Sequence, residues 1–157
     1  MKYKKFYQDD RYFAGIEHHT EITFGELEDV NDTWSKMLGG LQKEVLMKTE
    51  PHQMIGLNCN SIDYDETNKV TYYALVETID LIKQKDFIVT KKIPKGNYIS
   101  FDIEYDNLGL ERKRVYDYCK TEGIKVHKGF DYEHYISGQR YSEKGAIVTL
   151  CLMIEDD

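Results

Sequence analysis

The chain has little of what would carry it across a membrane or into one. Its start, Met1-Lys2-Tyr3-Lys4-Lys5-Phe6, is followed by no apolar signal core, and no run approaches the length a bilayer span needs. Cysteine is scarce: Cys59, Cys119 and Cys151 are three, widely spaced, with no C-x-x-C pair. Cys59 and Cys151 sit in apolar runs, which suits small core residues in a reducing cytoplasm. Positive charge is short as well, with 21 Lys and Arg against 28 Asp and Glu and a net charge of −7. That balance argues against a broad phosphate-binding face and suits cationic partners. The tight basic clusters are Lys91-Lys92 and Arg112-Lys113-Arg114, the second on a predicted helix, where it reads as a solvated face.

Catalytic signatures are missing too. No phosphate-binding G-x-x-x-x-G-K-[ST], dinucleotide G-x-G-x-x-G, zinc-protease H-E-x-x-H or nucleophile G-x-S-x-G pattern occurs. His18-His19 are adjacent, which points the two rings apart on a strand, and nearby acids make them surface residues. No ligand spacing supports a metal, and no cofactor is expected. Asp102 and Glu104 share a strand face and read as a solvated edge.

What remains is an ordinary globular composition. The 157 residues are 41% hydrophobic and 31% charged, enough for one domain with a sizeable core and no sign of disorder. The domain is taken to run over residues 1–157.

In chain order, Arg11 to Glu17 is a strand. Thr23-Phe24-Gly25-Glu26 has capping-box spacing before a helical stripe of Val30, Trp34, Met37, Leu38, Leu41 and Val45, with Gly39-Gly40 as an end or kink and a second helical piece to Lys48. On such a stripe Trp34 is by default a core residue. Met54 to Asn60 and Lys69 to Thr78 form a hairpin around a polar turn from Asp63 to Asn68. Asp86 to Ile93 is a further strand, ended by the turn Pro94-Lys95-Gly96-Asn97. Tyr98 to Tyr105 alternates with period two. A second helix runs from Asn107 to Glu122, stopped by Gly123. The strand Phe130 to Ile136 and the apolar, central strand Ala146 to Ile154 complete the chain. Strand, helix, strand, strand therefore occurs twice. The expected fold is α+β: duplicated β-α-β-β units forming an antiparallel sheet with two helices packed on one side. The place where two repeats meet is a natural ligand pocket.

The most informative stretch is Phe130-Asp131-Tyr132-Glu133-His134-Tyr135-Ile136. Alternation puts Asp131, Glu133 and Tyr135 on one face and Phe130, Tyr132, His134 and Ile136 on the other. Strong β-formers on both faces leave neither fully open to water, so Glu133 needs a partner. That partner is either a nearby Lys or Arg, the reading this stretch favours by itself, or a cation from outside.

With the strand order in view, the chain resembles the GyrI-like family, also described as the AraC-type effector-binding domain and related to integron-associated drug-binding proteins. The resemblance covers nearly the whole chain. It rests on Phe13-Ala14-Gly15, Trp34, the turn Lys91 to Tyr98 (KKIPKGNY) and the strand Asp131-Tyr132-Glu133-His134-Tyr135. It implies that Glu133 lies in an aromatic-lined pocket and pairs with a small aromatic, cationic ligand, which reverses the weighting above. Aromatic faces add cation–π attraction. Strand and helix placement make Tyr73 and Tyr135 the preferred lining, with Trp34 and Tyr72 next. Many relatives follow a DNA-binding helix-turn-helix, whereas this sequence begins a few residues before its first strand, so direct nucleic-acid binding is not expected. The resemblance also implies two alternatives. One is hydrolysis of strained electrophilic genotoxins, with Glu133 as general base and Tyr135 orienting water or substrate. The other is a protein partner, such as DNA gyrase or a regulator.

Overall fold

The structure, a computed structural model, describes residues 1–23, 30–135 and 143–155. Among the described residues nine strands form one sheet: β1 (Lys4–Gln8), β2 (Arg11–Glu17), β3 (Ile22–Thr23), β4 (Met54–Asn60), β5 (Lys69–Thr78), β6 (Val89–Ile93), β7 (Gly96–Glu104), β8 (Phe130–Tyr135) and β9 (Ile147–Met153). The α-helices are α1 (Asn31–Gly39), the single turn α2 (Tyr64–Thr67) and α3 (Leu108–Thr121). The spatial order is β1-β7-β9-β8-β4-β5-β2-β6, with β3 also against β5, and the strands pair antiparallel.

The duplication is plain in that order. The units β2-α1-β4-β5 and β7-α3-β8-β9 each place the third strand between the other two, and they join where β4 pairs β8. Both helices cover the same face. Met37 of α1 packs with Ala14, Ala74 and Val76, while Val115 and Cys119 of α3 pack with Ile99, Phe101, Ile103, Val148, Leu150 and Leu152. Each such buried aliphatic side chain contributes about 1.5–3 kcal/mol of transfer free energy.

The opposite face holds a core of its own: Phe13, Ile55, Leu57, Tyr73, Leu75, Ile93, Tyr98, Tyr132 and Cys151. These residues come from strands far apart in the sheet, so the sheet must curl around them. Chain length forces the curl. Ile93 of β6 and Gly96 of β7 are joined only by Pro94-Lys95, a link that reaches at most about 11 Å. In a flat sheet the six steps from β7 to β6 would cover about 29 Å.

Several sequence expectations change here. α1 ends at Gly39, and the piece beyond it is a 3₁₀ turn from Leu41 to Glu44. The inward positions of α1 are Thr33 and Met37, four apart, so the adjacent Leu38 is turned out and is 53% exposed. The predicted cap begins at Thr23, which pairs with Lys69 in the sheet; Phe24-Gly25-Glu26 lie outside the described residues, as does Ile136. The polar turn from Asp63 contains α2. β1 was not foreseen: it is a short polar edge strand whose ladder faces β7 alone. His18 is buried, with Nδ1 at 2.6 Å from the Thr33 hydroxyl, because α1 lies over it; His19 is exposed as expected.

Candidate functional site

The site forms at the joint between the two repeats. In the β4–β8 register Gly56 stands opposite Glu133 and Asn58 opposite Asp131; in the β4–β5 register Asn58 stands opposite Tyr72. All point to the helix-covered face. Gly56 is the position that makes room. A Cβ there would lie 2.3 Å from the Tyr72 hydroxyl and 2.6 Å from Glu133 Oε2, so both groups lean over the glycine.

Glu133 is 1% exposed, and its nearest cation is internal. Arg112 reaches in from α3 and donates from Nη1 to Glu133 Oε1 at 2.6 Å. The same guanidinium closes as a fork on Asp131, at 2.8 Å to each carboxylate oxygen. Asn58 Nδ2 donates to Asp131 Oδ1 at 3.1 Å and to Glu133 Oε1 at 3.0 Å, and the Tyr116 hydroxyl donates to Asp131 Oδ2 at 2.6 Å. Asp131 thus receives four donors. Among the described residues Glu133 Oε2 is buried with no hydrogen-bond partner.

Charge arithmetic follows from this geometry. Two carboxylates share one guanidinium, so the cluster carries one excess negative charge whenever both are ionised. Burial pushes the Glu133 carboxyl up to about 7, against the pull of Arg112 and with help from Asp131. Burial opposes the charge on Arg112 too, but Asp131 and Glu133 outweigh it and hold the group above its ordinary value.

Aromatic residues gather beside Gly56 and are linked to one another. Trp34 Nε1 on α1 donates to the Tyr72 hydroxyl at 2.7 Å, and that hydroxyl lies 3.3 Å from the Tyr135 hydroxyl. The Trp34 and Tyr135 rings meet edge to face with centroids 4.8 Å apart, and Tyr105 adds a further edge at 6.2 Å. Burial, then the Glu133 charge, raises Tyr72, and burial raises Tyr135. Both phenols are therefore neutral near pH 7.

Of the residues proposed from sequence, Glu133, Tyr135, Tyr72 and Trp34 come together. Tyr73 does not. It is the neighbour of Tyr72 on β5, so it faces the other way, into the core with Leu57 and Tyr132, with the Lys91 ammonium 4.3 Å from its ring centre. The solvated-face reading of Arg112 is also corrected: it is 6% exposed because the carboxylates of Asp131 and Glu133 receive it. Its signal was present in the helical period. Leu108, Arg112, Val115 and Cys119 form one inward stripe, and an Arg within such a stripe demands buried acids opposite. Gly56, Asn58 and Tyr116 were likewise missed, although the apolar alternation of Ile55, Leu57 and Cys59 turns Gly56 and Asn58 to the helix side. Burial raises all three thiols, Cys119 up to about 11 and Cys151 up to about 12. Asp102 and Glu104 are exposed, and the described residues hold no cluster of His, Cys, Asp and Glu fit for a metal. Nor is any described helix long and apolar enough to cross a membrane.

The fold is a duplicated β-α-β-β sheet with a buried acid–arginine cluster at the seam of its two repeats. The chain belongs to the GyrI-like family: the pattern of the GyrI-like small molecule binding domain matches residues 1–154. The structure of SAV2435 bound to tetraphenylphosphonium is similar over 99% of this chain and 94% of that one, at 15% identity and a TM-score of 0.74. An integron cassette protein from the mobile metagenome of Vibrio cholerae is similar over 98% of this chain and 95% of its own, at 16% identity and a TM-score of 0.67. The C-terminal domain of EcmrR is similar over 99% of this chain and 98% of its own, at 13% identity and a TM-score of 0.68. At these identities the likeness is one of fold. No curated protein sequence matches the chain.

Proposed function

We propose that this domain binds a small aromatic cation against Glu133, beneath Tyr72, Tyr135 and Trp34. The observation that carries the reading is the bare Oε2 of Glu133, buried in a cluster with one negative charge in excess. That charge can be neutralised by a proton or by a ligand cation, and the surrounding rings favour a cation that carries aromatic, apolar groups. The tetraphenylphosphonium held by a structural relative is a ligand of this kind. In a regulator-related domain the bound molecule would act as an effector or be sequestered.

The test uses the sole tryptophan, Trp34, which sits in the site and reports on it by fluorescence. Wild type and Glu133→Gln are titrated with tetraphenylphosphonium and with neutral triphenylphosphine oxide. The substitution is expected to weaken the cation about tenfold or more and to leave the neutral compound within about threefold. Equal loss for both would remove electrostatics from the reading. Mass spectrometry of the recovered ligand covers hydrolysis: a carboxyl near 7 is suited to a general base, and a gain of one water would make the site catalytic.

A further inference from the structure

Glu133 is buried, and it does not set the charge of its cluster alone. Asp131 and Arg112 lie behind it, and their contacts are saturated in a particular way. The Arg112 fork covers both oxygens of Asp131, whose remaining directions are taken by Asn58 and the Tyr116 hydroxyl. Arg112 then reaches past this pair to one oxygen of Glu133 only. The guanidinium is thus spent mainly on Asp131, and Glu133 is left as the residual charge with one oxygen uncovered.

We infer that Arg112 and Asp131 are specificity-determining residues that fix the site's offer at a single negative charge and so select singly charged cations over doubly charged and neutral molecules. The inference rests on cation binding at Glu133. Its physical basis is charge balance in a medium of low dielectric, where each uncompensated charge costs orders of magnitude in affinity. A monocation brings the buried cluster to neutrality. A dication leaves one positive charge over, and a neutral molecule leaves the negative charge unpaired or requires a proton. Arg112, 6% exposed, and Asp131, 2% exposed, cannot be balanced by water instead. Both act through Glu133 without need of touching the ligand, so they are positioning residues, and the test must read charge preference as well as affinity.

The experiment uses the full chain and three probes of one shape: phenylpyridine at a pH where it is neutral, N-methyl-phenylpyridinium with one charge, and methyl viologen with two. Binding is followed by Trp34 fluorescence, with a thermal melt of each variant. Asp131→Asn removes the excess charge while leaving Glu133 in place, and it is expected to weaken the monocation about tenfold or more, as Glu133→Gln does. Arg112→Gln leaves two negative charges in excess and should move the ratio of dication to monocation affinity about tenfold or more toward the dication. The double variant Arg112→Gln with Asp131→Asn restores a single excess charge, and monocation affinity should return to within about threefold of wild type. This rescue also settles the matter if Arg112→Gln alone does not fold. Wild-type monocation affinity in Asp131→Asn, with binding lost in Glu133→Gln, would overturn the inference and leave the proposed site standing. A double variant that folds but stays as weak as Asp131→Asn would overturn it as well. Failure of the wild type to take either cation would remove both readings together.

Discussion

Tyr72 and Tyr73 are consecutive on one strand, and so are Tyr132 and Glu133, yet each pair divides between two environments. On the helix-covered side Tyr72 keeps its hydroxyl over Gly56, bonded to Trp34 and beside the only buried carboxylate oxygen left bare among the described residues. On the curled side Tyr73, Tyr98 and Tyr132 pack as core, and the last two settle their hydroxyls locally, on the Pro94 carbonyl and on Gln8 Oε1. The rings are the same; the difference is whether a charge has been left over for them to cover. A tyrosine-rich composition therefore announces no binding site by itself. The excess charge does.

The largest effect that separates fold from site should come from two glycines in the strands that flank β5. A Cβ on Gly15 would lie 2.1 Å from the Ala74 carbonyl oxygen and 3.0 Å from the Leu75 Cα, both backbone atoms that the sheet holds in register. Gly15→Ala is expected to cost about 3 kcal/mol or more of stability in denaturant unfolding, as forced overpacking against immovable atoms does. A Cβ on Gly56 meets side-chain tips instead, the Tyr72 hydroxyl and Glu133 Oε2. Gly56→Ala should cost less, about 1–2 kcal/mol, because those tips can turn away. Turning them away dismantles the site, so affinity for tetraphenylphosphonium should fall about tenfold or more. Full affinity in a folded Gly56→Ala protein would mean that ligands bind elsewhere.

The next contrast is in pH. With the folded Glu133 pushed up to about 7 from 4.5, the native state holds a proton in that interval that the unfolded chain releases. The resulting stability is complete below about pH 4.5 and is lost as the pH rises to about 7, up to about 3 kcal/mol for that displacement. Arg112 from α3, Asp131 on the same strand, Asn58 from β4 and Tyr72 from β5 face the group, and Arg112 and Tyr72 are both shifted upward, away from that window. On the other side of the sheet, burial lowers His134, which works in the opposite sense just below its ordinary value of 6.5. The difference between wild type and Glu133→Gln isolates the carboxyl. That difference should shrink the slope between pH 5 and pH 7 and leave the His134 contribution in place. The same titration predicts that cation affinity rises up to tenfold per pH unit below about 7 and levels off above it, since ligand and proton compete for one oxygen. Superimposable stability profiles would mean that the carboxyl is not neutral when the site is empty.

How far the sequence carries the reader differs between these two sides. Alternation and turn residues located β2, β4, β5 and α3 closely, because each buries a face with an unbroken period. β1 escaped because an edge strand with one partner needs no apolar face, and the end of α1 was blurred by Leu38, an apolar residue turned to solvent. At the site, local patterning found Glu133 and Tyr135 together on one strand face. It preferred Tyr73 to Tyr72 and so took the wrong side, since a strand apolar on both sides hides which side faces the helices. Arg112 was lost for another reason. Its basic neighbours Lys113 and Arg114 suggest a solvated patch, and only the stripe with Leu108, Val115 and Cys119 betrays its inward direction. Long-range pairing of α3 with β8 is a property of the fold that no window of sequence contains.

The smallest effect is also the most direct reading of the comparison. Tyr72→Phe keeps the ring and removes one oxygen, the acceptor of the Trp34 indole N–H and the neighbour of the Tyr135 hydroxyl. The lost bond is worth about 1 kcal/mol, with Trp34 left facing an apolar ring, so the melt should shift slightly and the Trp34 emission should change. Cation affinity should fall severalfold, because the Tyr72 ring loses the bond that orients it over Gly56. Tyr73→Phe, one position on, removes an oxygen from the face where Lys91 lies against the ring, and it should change neither the emission nor the affinity. Equal effects of the two substitutions on ligand affinity would erase the distinction between the faces. In that case the aromatic content of the strand, and not its direction relative to the charge, would be what the ligand reads.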